Sequence, residues 1–252
     1  MKKPKIGVFN ITGCCGCVLS IVFNEEELLK LVSIVDIDAF PFIKKKSNTK
    51  KFDIIVMEGT VVNNEDLENL KKAREQTKIL VALGACACTG GVPSFRHFSS
   101  EKNYQNLIFN KALHLKDLEP KPIDAYVKVD YYIPGCPPYG KEILSFFKEV
   151  VLGKKPRLYD KPVCIECRMN ENPCLIDSGK LCLGPITRGG CNSVCTTGRL
   201  ECWGCRGPTS DANIEEILKL LEQKGFRIET IKKRMETFVG LKLPEEEVKE
   251  DE

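Results

Sequence analysis

Three cysteines lie within four residues near the start of the chain, in the stretch NITGCCGCVLS at positions 10–20. They directly follow a short apolar run that ends at Phe9. Thiols spaced this closely can form a redox disulfide, ligate zinc or hold an iron–sulfur cluster. The remainder of the sequence has to discriminate among these three chemistries.

The whole chain carries 14 cysteines in 252 residues. No apolar stretch approaches the roughly 20 residues that span a bilayer, and the apolar run 6–9 is too short for the core of a signal peptide. We therefore expect a cytoplasmic protein without a membrane partner. Because disulfides rarely persist in a reducing cytosol outside hyperthermophiles, so many cysteines favour metal binding or catalysis. The formal net charge of +3 gives no indication of a nucleic-acid partner.

Spacing divides twelve of the cysteines into three sets of four. An iron–sulfur cubane needs four thiolates that converge from different directions, and a CxxC pair often supplies two of them. The first set is Cys14, Cys17, Cys86 and Cys136; the second is Cys164, Cys167, Cys174 and Cys182; the third is Cys191, Cys195, Cys202 and Cys205. A zinc-stabilised binding scaffold is the alternative, since two CxxC pairs can form a tetrahedral zinc site. One zinc would leave four of the last eight cysteines unused, and two would leave the N-terminal cysteines unexplained.

The elements that must position the first set alternate between strand-like and helix-like patterns over residues 4–155. Short apolar runs predict strands over 6–10, 35–40, 53–58, 79–83 and 125–133. Amphipathic patterns predict helices over 25–32, 64–76, 104–115 and 140–151. This alternation is typical of an α/β fold, here a flavodoxin-like doubly wound parallel sheet. Ligands of such sheets lie beyond the carboxyl ends of the strands, where Cys14, Cys86 and Cys136 follow glycine-containing turns.

Residues 156–210 hold eight cysteines, many glycines and prolines, and few apolar residues. So little aliphatic content cannot stabilise a stretch of this size by burial alone, and we expect a small, irregular cysteine-rich iron–sulfur domain with metal sites as its core. Beyond it, helical patterns run from a predicted N-cap at Asp211 to a stop at Gly225, and from Ile231 to Phe238. The predicted domains are 1–155 with the first set, 156–210 with the other two sets, and 211–252 with two helices and an acidic tail.

Three motifs in the first region resemble the proximal-cluster motifs of nickel–iron hydrogenase small subunits: Thr12-Gly-Cys-Cys-Gly-Cys17, Gly84-Ala-Cys-Ala-Cys-Thr-Gly-Gly91 and Gly135-Cys-Pro-Pro138. Two motifs farther along resemble the distal and medial cluster motifs of the same proteins: Cys174-x7-Cys182-Leu-Gly-Pro-x-Thr-x3-Cys191 and Cys202-Trp-Gly-Cys205. A related subunit of respiratory complex I has a similar fold but generally lacks this second cysteine-rich region. Among hydrogenases, the chain most resembles the delta subunits of cytoplasmic sulfhydrogenases, which couple dihydrogen to NAD(P).

This resemblance implies a non-catalytic electron-transfer subunit of an oxidoreductase complex. It implies three 4Fe-4S clusters, with the proximal one on the first set, the medial one on the third set and the distal one on the second set. Cys164 and Cys195 stand where many membrane-bound relatives have His and Pro, which implies three four-iron clusters instead of two plus a three-iron one. The implied partners are a large subunit with the nickel–iron centre, a flavin/NAD(P)-binding subunit and further iron–sulfur subunits. A deazaflavin-reducing or heterodisulfide-linked hydrogenase is the alternative.

Four residues near the three sets belong to none of them. Cys15 and Cys88 are the two cysteines outside the sets, and we expect both to be small buried hydrophobes. Glu58 at a strand end either accepts hydrogen bonds from backbone amides or tunes the cluster of the first set. Trp203, between Cys202 and Cys205, is expected to shield its cluster from water.

Overall fold

A five-stranded parallel sheet forms the scaffold of the first region, in a computed structural model that describes residues 3–44, 51–94, 118–157 and 159–238. In chain order the strands are β1 (Lys5–Asn10), β2 (Asp36–Ala39), β3 (Phe52–Glu58), β4 (Thr77–Leu83) and β5 (Tyr131–Ile133). Their order across the sheet is β2-β1-β3-β4-β5. Asn10 is in register with Glu58, Glu58 with Leu83, and Leu83 with Ile133. The carboxyl ends of four strands therefore meet at one edge.

Helices cover both faces of this sheet and continue into the second region. The helices of the described residues are α1 (Gly16–Val22), α2 (Glu25–Ile34), α3 (Asn64–Glu75), α4 (Gly84–Thr89), α5 (Gly140–Val151), α6 (Val163–Met169), α7 (Val194–Thr197), α8 (Ile214–Gln223) and α9 (Ile228–Glu236). None of these is long and apolar enough to cross a membrane.

Alternate residues of β3 belong to two different apolar cores. Ile54 and Val56 pack in a cluster with side chains of α1, α2 and α5. Ile55 and Met57 pack in the opposite cluster, which includes Leu70 of α3. Because both faces are covered, the central strands are continuous apolar runs instead of alternating ones. The predicted doubly wound α/β fold is thus confirmed.

The strand predictions agree with β1 to β4 to within two residues, but the prediction for the last strand was wrong over its first six positions. Residues Ile123–Ala125 form a single 3-10 turn, and β5 begins only at Tyr131. Just before β5, the Asp130 carboxylate accepts the Leu80 N–H at 2.8 Å, where a strand carbonyl would otherwise pair. The Asp130 N–H still donates to the Leu80 carbonyl at 2.9 Å, so the side chain substitutes for a carbonyl on only one side of the ladder. The helix predicted over 104–115 lies outside the described residues.

The cysteine-rich region consists of two short helices, α6 and α7, joined by turns and by isolated antiparallel bridges. The expectation of a core made of metal sites alone was incomplete, because an apolar cluster is also present. It contains Leu183 and Ile186 from this region and is completed by Leu221 of α8 and Ile231 of α9. The region therefore shares its core with the C-terminal helices, and the boundary at residue 210 stays a prediction.

The start of α8 differs from the predicted position. The N-cap is Asn213 and not Asp211, since the Asn213 side chain accepts the Glu216 N–H at 3.1 Å. Asn and Asp are equally good N-caps, so composition does not discriminate between positions two residues apart. At the other end, Gly225 has the left-handed φ of 88° that commonly terminates a helix, as predicted.

Candidate functional site

The first set lies at the carboxyl edge of the sheet, as the strand-end motifs predict. Cys14 follows β1, Cys17 lies in α1, Cys86 lies in α4 directly after β4, and Cys136 follows β5. Burial, followed by the charges of Glu58, Cys86, Cys136 and Cys14, raises the pKa of Cys17. Burial, then the charges of Cys136 and Cys14, raises the pKa of Cys86 to about 11. All four thiols are therefore close enough to repel one another when ionised.

Glycines provide the space around these sulfurs. Gly84 has a φ of +87°, and a Cβ at this position would lie 2.2 Å from Cys17 Sγ. Gly91 has a φ of +55°, and its Cβ would lie 2.9 Å from Cys86 Sγ. No other residue type fits at such distances, so the turns after β4 require glycine both for conformation and for space.

Glu58, at the end of β3, is 2% exposed and faces the start of α1. Its carboxylate accepts the Val18 N–H at 2.8 Å and the Cys17 N–H at 3.4 Å. Burial raises the pKa of Glu58, and these two hydrogen bonds oppose that rise. The expected bonding to backbone amides is confirmed, and it places the carboxylate beside a thiol of the first set.

Asp66 also supports this site, although no motif in the sequence pointed to it. Its carboxylate accepts hydrogen bonds from Thr12 Oγ1 at 2.8 Å, from Thr12 N at 3.2 Å and from Val62 N at 3.1 Å. Asp66 is 7% exposed in the first turn of α3. It therefore fixes the loop that carries Cys14. An acidic residue at a helix N-terminus is common, so its pairing with Thr12 could not be inferred from spacing.

The two remaining cysteines differ from each other. Cys88 packs against the apolar cluster around Leu80 and donates its thiol to the Ala82 carbonyl at 3.5 Å, as expected of a small hydrophobe. Cys15 is instead the left-handed N-cap of α1, with a φ of 60°, and belongs to no apolar cluster. The expectation of a buried hydrophobe was therefore wrong for Cys15, because the turn into α1 leaves it half-buried outside the apolar cores, where its Sγ accepts the Asn10 side-chain N–H at 3.7 Å.

The second set is built on α6 and the turns that follow it. Cys164 and Cys167 lie one helical turn apart in α6, while Cys174 and Cys182 come from later turns. Burial, then the charges of Cys182, Cys167 and Cys174, raises the pKa of Cys164 to about 12. Gly184 lies beside this set, since a Cβ there would be 3.2 Å from Cys164 Sγ. Cys164 is therefore within electrostatic reach of the three other thiols of this set.

The third set connects α7 with the segment that follows it. Burial raises the pKa of Cys205 to about 12; the Cys136 N–H opposes this rise and the Cys191 charge adds to it. The Cys191 pKa is raised by burial and, more weakly, by the Cys195 charge, while Arg206 opposes the rise. Cys202 is buried, and the Cys205 charge contributes to its raised pKa. Each of the four thiols therefore interacts with at least one other member of the set.

The three sets lie next to one another in series. The Cys202 N–H donates to Cys182 Sγ at 3.3 Å, which links the third set to the second. Next to it, the Leu183 N–H donates to the Cys202 carbonyl at 3.0 Å. At the opposite side, the Cys136 N–H opposes the rise in the pKa of Cys205, which places the first set beside the third. The third set consequently lies between the other two.

The three sets have the chemistry that iron–sulfur clusters require. All donors are thiols, backbone N–H groups donate to their sulfurs, and glycines leave room beside them. None of the fourteen cysteines, all of which lie in the described ranges, forms a disulfide. Within those ranges, no three His, Cys, Asp or Glu side chains are grouped so that they could hold a single metal ion.

Trp203 is more accessible than expected for a residue that excludes water. It is 42% exposed, and the Arg234 guanidinium carbon lies 3.4 Å from the centroid of its ring. Arg234 in turn donates to the Leu181 carbonyl at 3.2 Å. The indole therefore covers the turn between Cys202 and Cys205 only together with a cation stacked on it.

Comparison with known proteins agrees with this arrangement. The family described as "NADH ubiquinone oxidoreductase, 20 Kd subunit" matches residues 14–150, which end before the second and third sets. Sulfhydrogenase 2 subunit delta of Pyrococcus furiosus is 38% identical over 93% of this chain and 98% of its own length. A vhu subunit of the F420-non-reducing hydrogenase of Methanocaldococcus jannaschii is 32% identical over 81% of this chain and 82% of its own.

One solved structure is both similar in sequence and similar in fold. It is a chain of an NAD+-reducing [NiFe]-hydrogenase in the H2-reduced state, 33% identical with a TM-score of 0.55. The match covers 62% of this chain and 95% of that chain. The similarity to hydrogenase subunits thus includes both the sequence and the arrangement of the sheet.

Proposed function

Because this chain belongs to the NADH ubiquinone oxidoreductase 20 Kd subunit family and its relatives are hydrogenase subunits, we propose that it is the electron-transfer small subunit of a cytoplasmic nickel–iron hydrogenase. In this role it relays electrons between the dihydrogen-splitting centre of a large subunit and a flavin/NAD(P) subunit. The observation that carries the proposal is the series of three four-thiol sets, in which the third set lies beside each of the other two.

Each set would hold one 4Fe-4S cluster, and such clusters, when bound, supply one-electron redox chemistry. Cys14, Cys17, Cys86 and Cys136 would hold the proximal cluster, Cys191, Cys195, Cys202 and Cys205 the medial one, and Cys164, Cys167, Cys174 and Cys182 the distal one. The placement of the third set between the other two supports this order.

The chain's own residues contribute ligation, water exclusion and charge. Burial raises the pKa of most thiols in the three sets, so metal binding in this protein must displace protons that the free thiols hold at neutral pH. The backbone N–H of Cys202 donates to Cys182 Sγ of the neighbouring set, and such bonds raise the potential of a cluster held there. The protein therefore controls spacing and potential, while the redox chemistry belongs to the bound group.

Anaerobic purification of the tagged chain from its native host tests the proposal. We expect a brown complex that bleaches with dithionite, contains about twelve iron atoms per copy of this chain, and includes a large nickel-containing subunit. Zinc with little iron would instead support the zinc-stabilised scaffold and overturn the proposal. Replacing one ligand of each set by Ser, for example Cys17, Cys167 or Cys195, should remove or alter one cluster at a time.

A second candidate function is the small subunit of a deazaflavin-reducing or heterodisulfide-linked hydrogenase. The similarity to the vhu subunit of a hydrogenase described as F420-non-reducing favours the heterodisulfide-linked form of this candidate over the deazaflavin-reducing form. The two candidates share the clusters and differ in the acceptor. Dihydrogen-dependent reduction of NADP+ by the purified complex would support the first candidate, whereas reduction of F420 or of a heterodisulfide without NADP+ reduction would support the second.

A further inference from the structure

Arg206 is a buried cation located between two of the thiol sets. It directly follows Cys205, is 1% exposed and is one of the largest fully buried side chains of the described residues. Taking a guanidinium out of water costs several kcal/mol unless partners replace the lost hydration. Its position and its partners therefore need a reason beyond packing.

The guanidinium connects three segments. Arg206 Nε donates to the Gly189 carbonyl at 2.6 Å, and Nη1 donates to the Pro134 carbonyl at 2.5 Å. Nη1 and Nη2 also donate to the two carboxylate oxygens of Glu142 in α5, at 2.8 and 2.6 Å. Pro134 lies two residues before Cys136, and Gly189 lies two residues before Cys191. One side chain thus ties together the backbone beside three thiols, Cys205 included.

Gly190 makes room for the ion pair of the Arg206 guanidinium and the Glu142 carboxylate. Its φ is +99°, and a Cβ there would lie 2.7 Å from Arg206 Nη2 and 2.9 Å from Glu142 Oε1. The close approach of the 189–191 turn to the ion pair is therefore built into the backbone. It cannot be an incidental contact of a flexible side chain, because both carbonyls and the carboxylate must be in place to accept the hydrogen bonds of the guanidinium N–H groups.

The charge of Arg206 acts mainly on the third set. Burial raises the pKa of Cys191, and Arg206 is the strongest influence that opposes this rise. Arg206 likewise opposes the effect of burial on the pKa of Cys205. The carboxylate that faces Cys191 is that of Glu166, whose Oε2 lies 3.9 Å from Cys191 Sγ and whose charge adds to the rise in its pKa. A nearby cation stabilises the more negative, reduced form of any redox group that these thiols hold.

We propose that Arg206 is a positioning residue at the junction of the first and third sets, where it fixes Cys136, Cys191 and Cys205 relative to one another and raises the reduction potential of the third-set cluster. Glu142 orients the guanidinium and moderates its charge. The inference rests on the proposed function and deepens it, since it assigns the tuning of the medial cluster to a residue of this chain.

Redox titration of the anaerobically purified complex, followed by EPR, tests the inference. R206Q should lower the midpoint potential of the third-set cluster, whose signal is assigned with Cys195→Ser. E142Q should raise it, because the cation loses its counter-ion. R206K keeps the positive charge but loses the planar guanidinium with its several donors. The midpoint potential of the third-set cluster should therefore stay closer to that of the wild type, while the thermal stability decreases.

Arg74 provides a matched control. Its guanidinium also binds a carboxylate, that of Asp130 at 2.6 Å, and the carbonyls of Lys128, Thr77 and Lys78, but at the amino end of β4 away from the thiols. R74Q should reduce stability without moving any midpoint potential. A purely structural Arg206 would behave in the same way.

The outcomes separate this inference from the proposed function. Wild-type complex without iron would contradict the proposed function itself. Iron-loaded variants in which R206Q and E142Q leave the third-set midpoint unchanged, or move it in the same direction, would overturn the role of Arg206 and leave the function intact. If R206Q does not retain iron whereas R206K does, positioning is supported and E142Q alone decides the effect of charge.

Discussion

The two cysteine-bearing regions of this protein hold their thiols by different means. In the first region, a parallel sheet aligns the ends of β1, β3, β4 and β5 through backbone hydrogen bonds, and the first set lies at that edge. In the second region, short helices and turns hold two sets around a single apolar cluster that α8 and α9 complete. The first set is therefore positioned by the pairing of the strands, and we expect the other two to depend more on what binds to them.

This difference has a physical basis in the number of contacts that do not involve cysteine. Side chains of β3 contribute to two apolar cores, one on each face of the sheet. In the cysteine-rich region Cys182 and Cys202 belong to the one apolar cluster and Cys191 packs against it, whereas a single thiol of the first set, Cys17, belongs to a core of the sheet. Binding energy of a metal group can therefore act as folding energy in the second region far more than in the first.

The largest expected effect comes from removing the iron with a chelator under anaerobic conditions. Residues 159–210 should then lose nearly all protection against amide hydrogen exchange, including the Leu183 and Cys202 N–H groups that join the sets. Strands β3 and β4 should stay protected because their bonds do not depend on a metal. Hydrogen-exchange mass spectrometry of the iron-loaded and the chelated protein measures the protection of residues 159–210 and of the two strands.

The chelation experiment can also refute the comparison. If residues 159–210 keep their protection without iron, the apolar cluster of Leu183, Leu221 and Met235 holds the region by itself. Re-addition of iron and sulfide should restore the protection. A sheet that loses protection together with the second region would mean that the two regions unfold as one cooperative unit.

A substitution in the first region should remove one cluster and leave the other two. Gly84→Ala places a Cβ 2.2 Å from Cys17 Sγ at a φ of +87°. We expect the iron content to fall from about twelve to about eight atoms per chain, with the second- and third-set signals retained in EPR spectra.

Gly153→Ala is the matched control for this substitution. Gly153 also has a positive φ, +70°, but no atom lies within 4 Å of its would-be Cβ. It should cost about 1–2 kcal/mol of stability through backbone strain and leave the iron content unchanged. Equal iron loss in both variants would show that strain, and not the space beside Cys17, controls the first site.

A smaller effect is expected from Asp66→Ala. Truncation leaves the N–H groups of Thr12 and Val62 without their acceptor, which should lower the free energy of unfolding by about 2–3 kcal/mol in urea titrations. The exposed neighbour Glu65 lies in the same helical turn. Glu65→Ala should change the free energy of unfolding by less than about 0.5 kcal/mol. If the two variants are equally stable, the carboxylate of Asp66 does not fix the Cys14 loop.

The parts of the fold that the sequence predicted are those with local patterns. The strands were visible because each is an apolar run, and the three CxxC pairs were visible as spacing. Helices α1 and α4 were missed, since they begin inside glycine–cysteine motifs that look like turns. Asp66 with Thr12, and Arg206 with Glu142, are 54 and 64 residues apart and resemble ordinary surface charges in the sequence. Pairings over such distances arise only from the tertiary fold.

The smallest expected effect concerns Cys15 and Cys88, the two cysteines outside the sets. Replacing them tests whether the first site contains any thiol beyond its four. Cys15→Ser and Cys88→Ser should leave the iron content and the EPR spectrum of the first-set cluster unchanged, whereas Cys17→Ser should abolish or alter that spectrum. The reason is that the Cys88 thiol donates to the Ala82 carbonyl and Cys15 Sγ accepts the Asn10 side-chain N–H at 3.7 Å. A changed spectrum in either variant would mean that the sheet edge holds more than four thiols in its site.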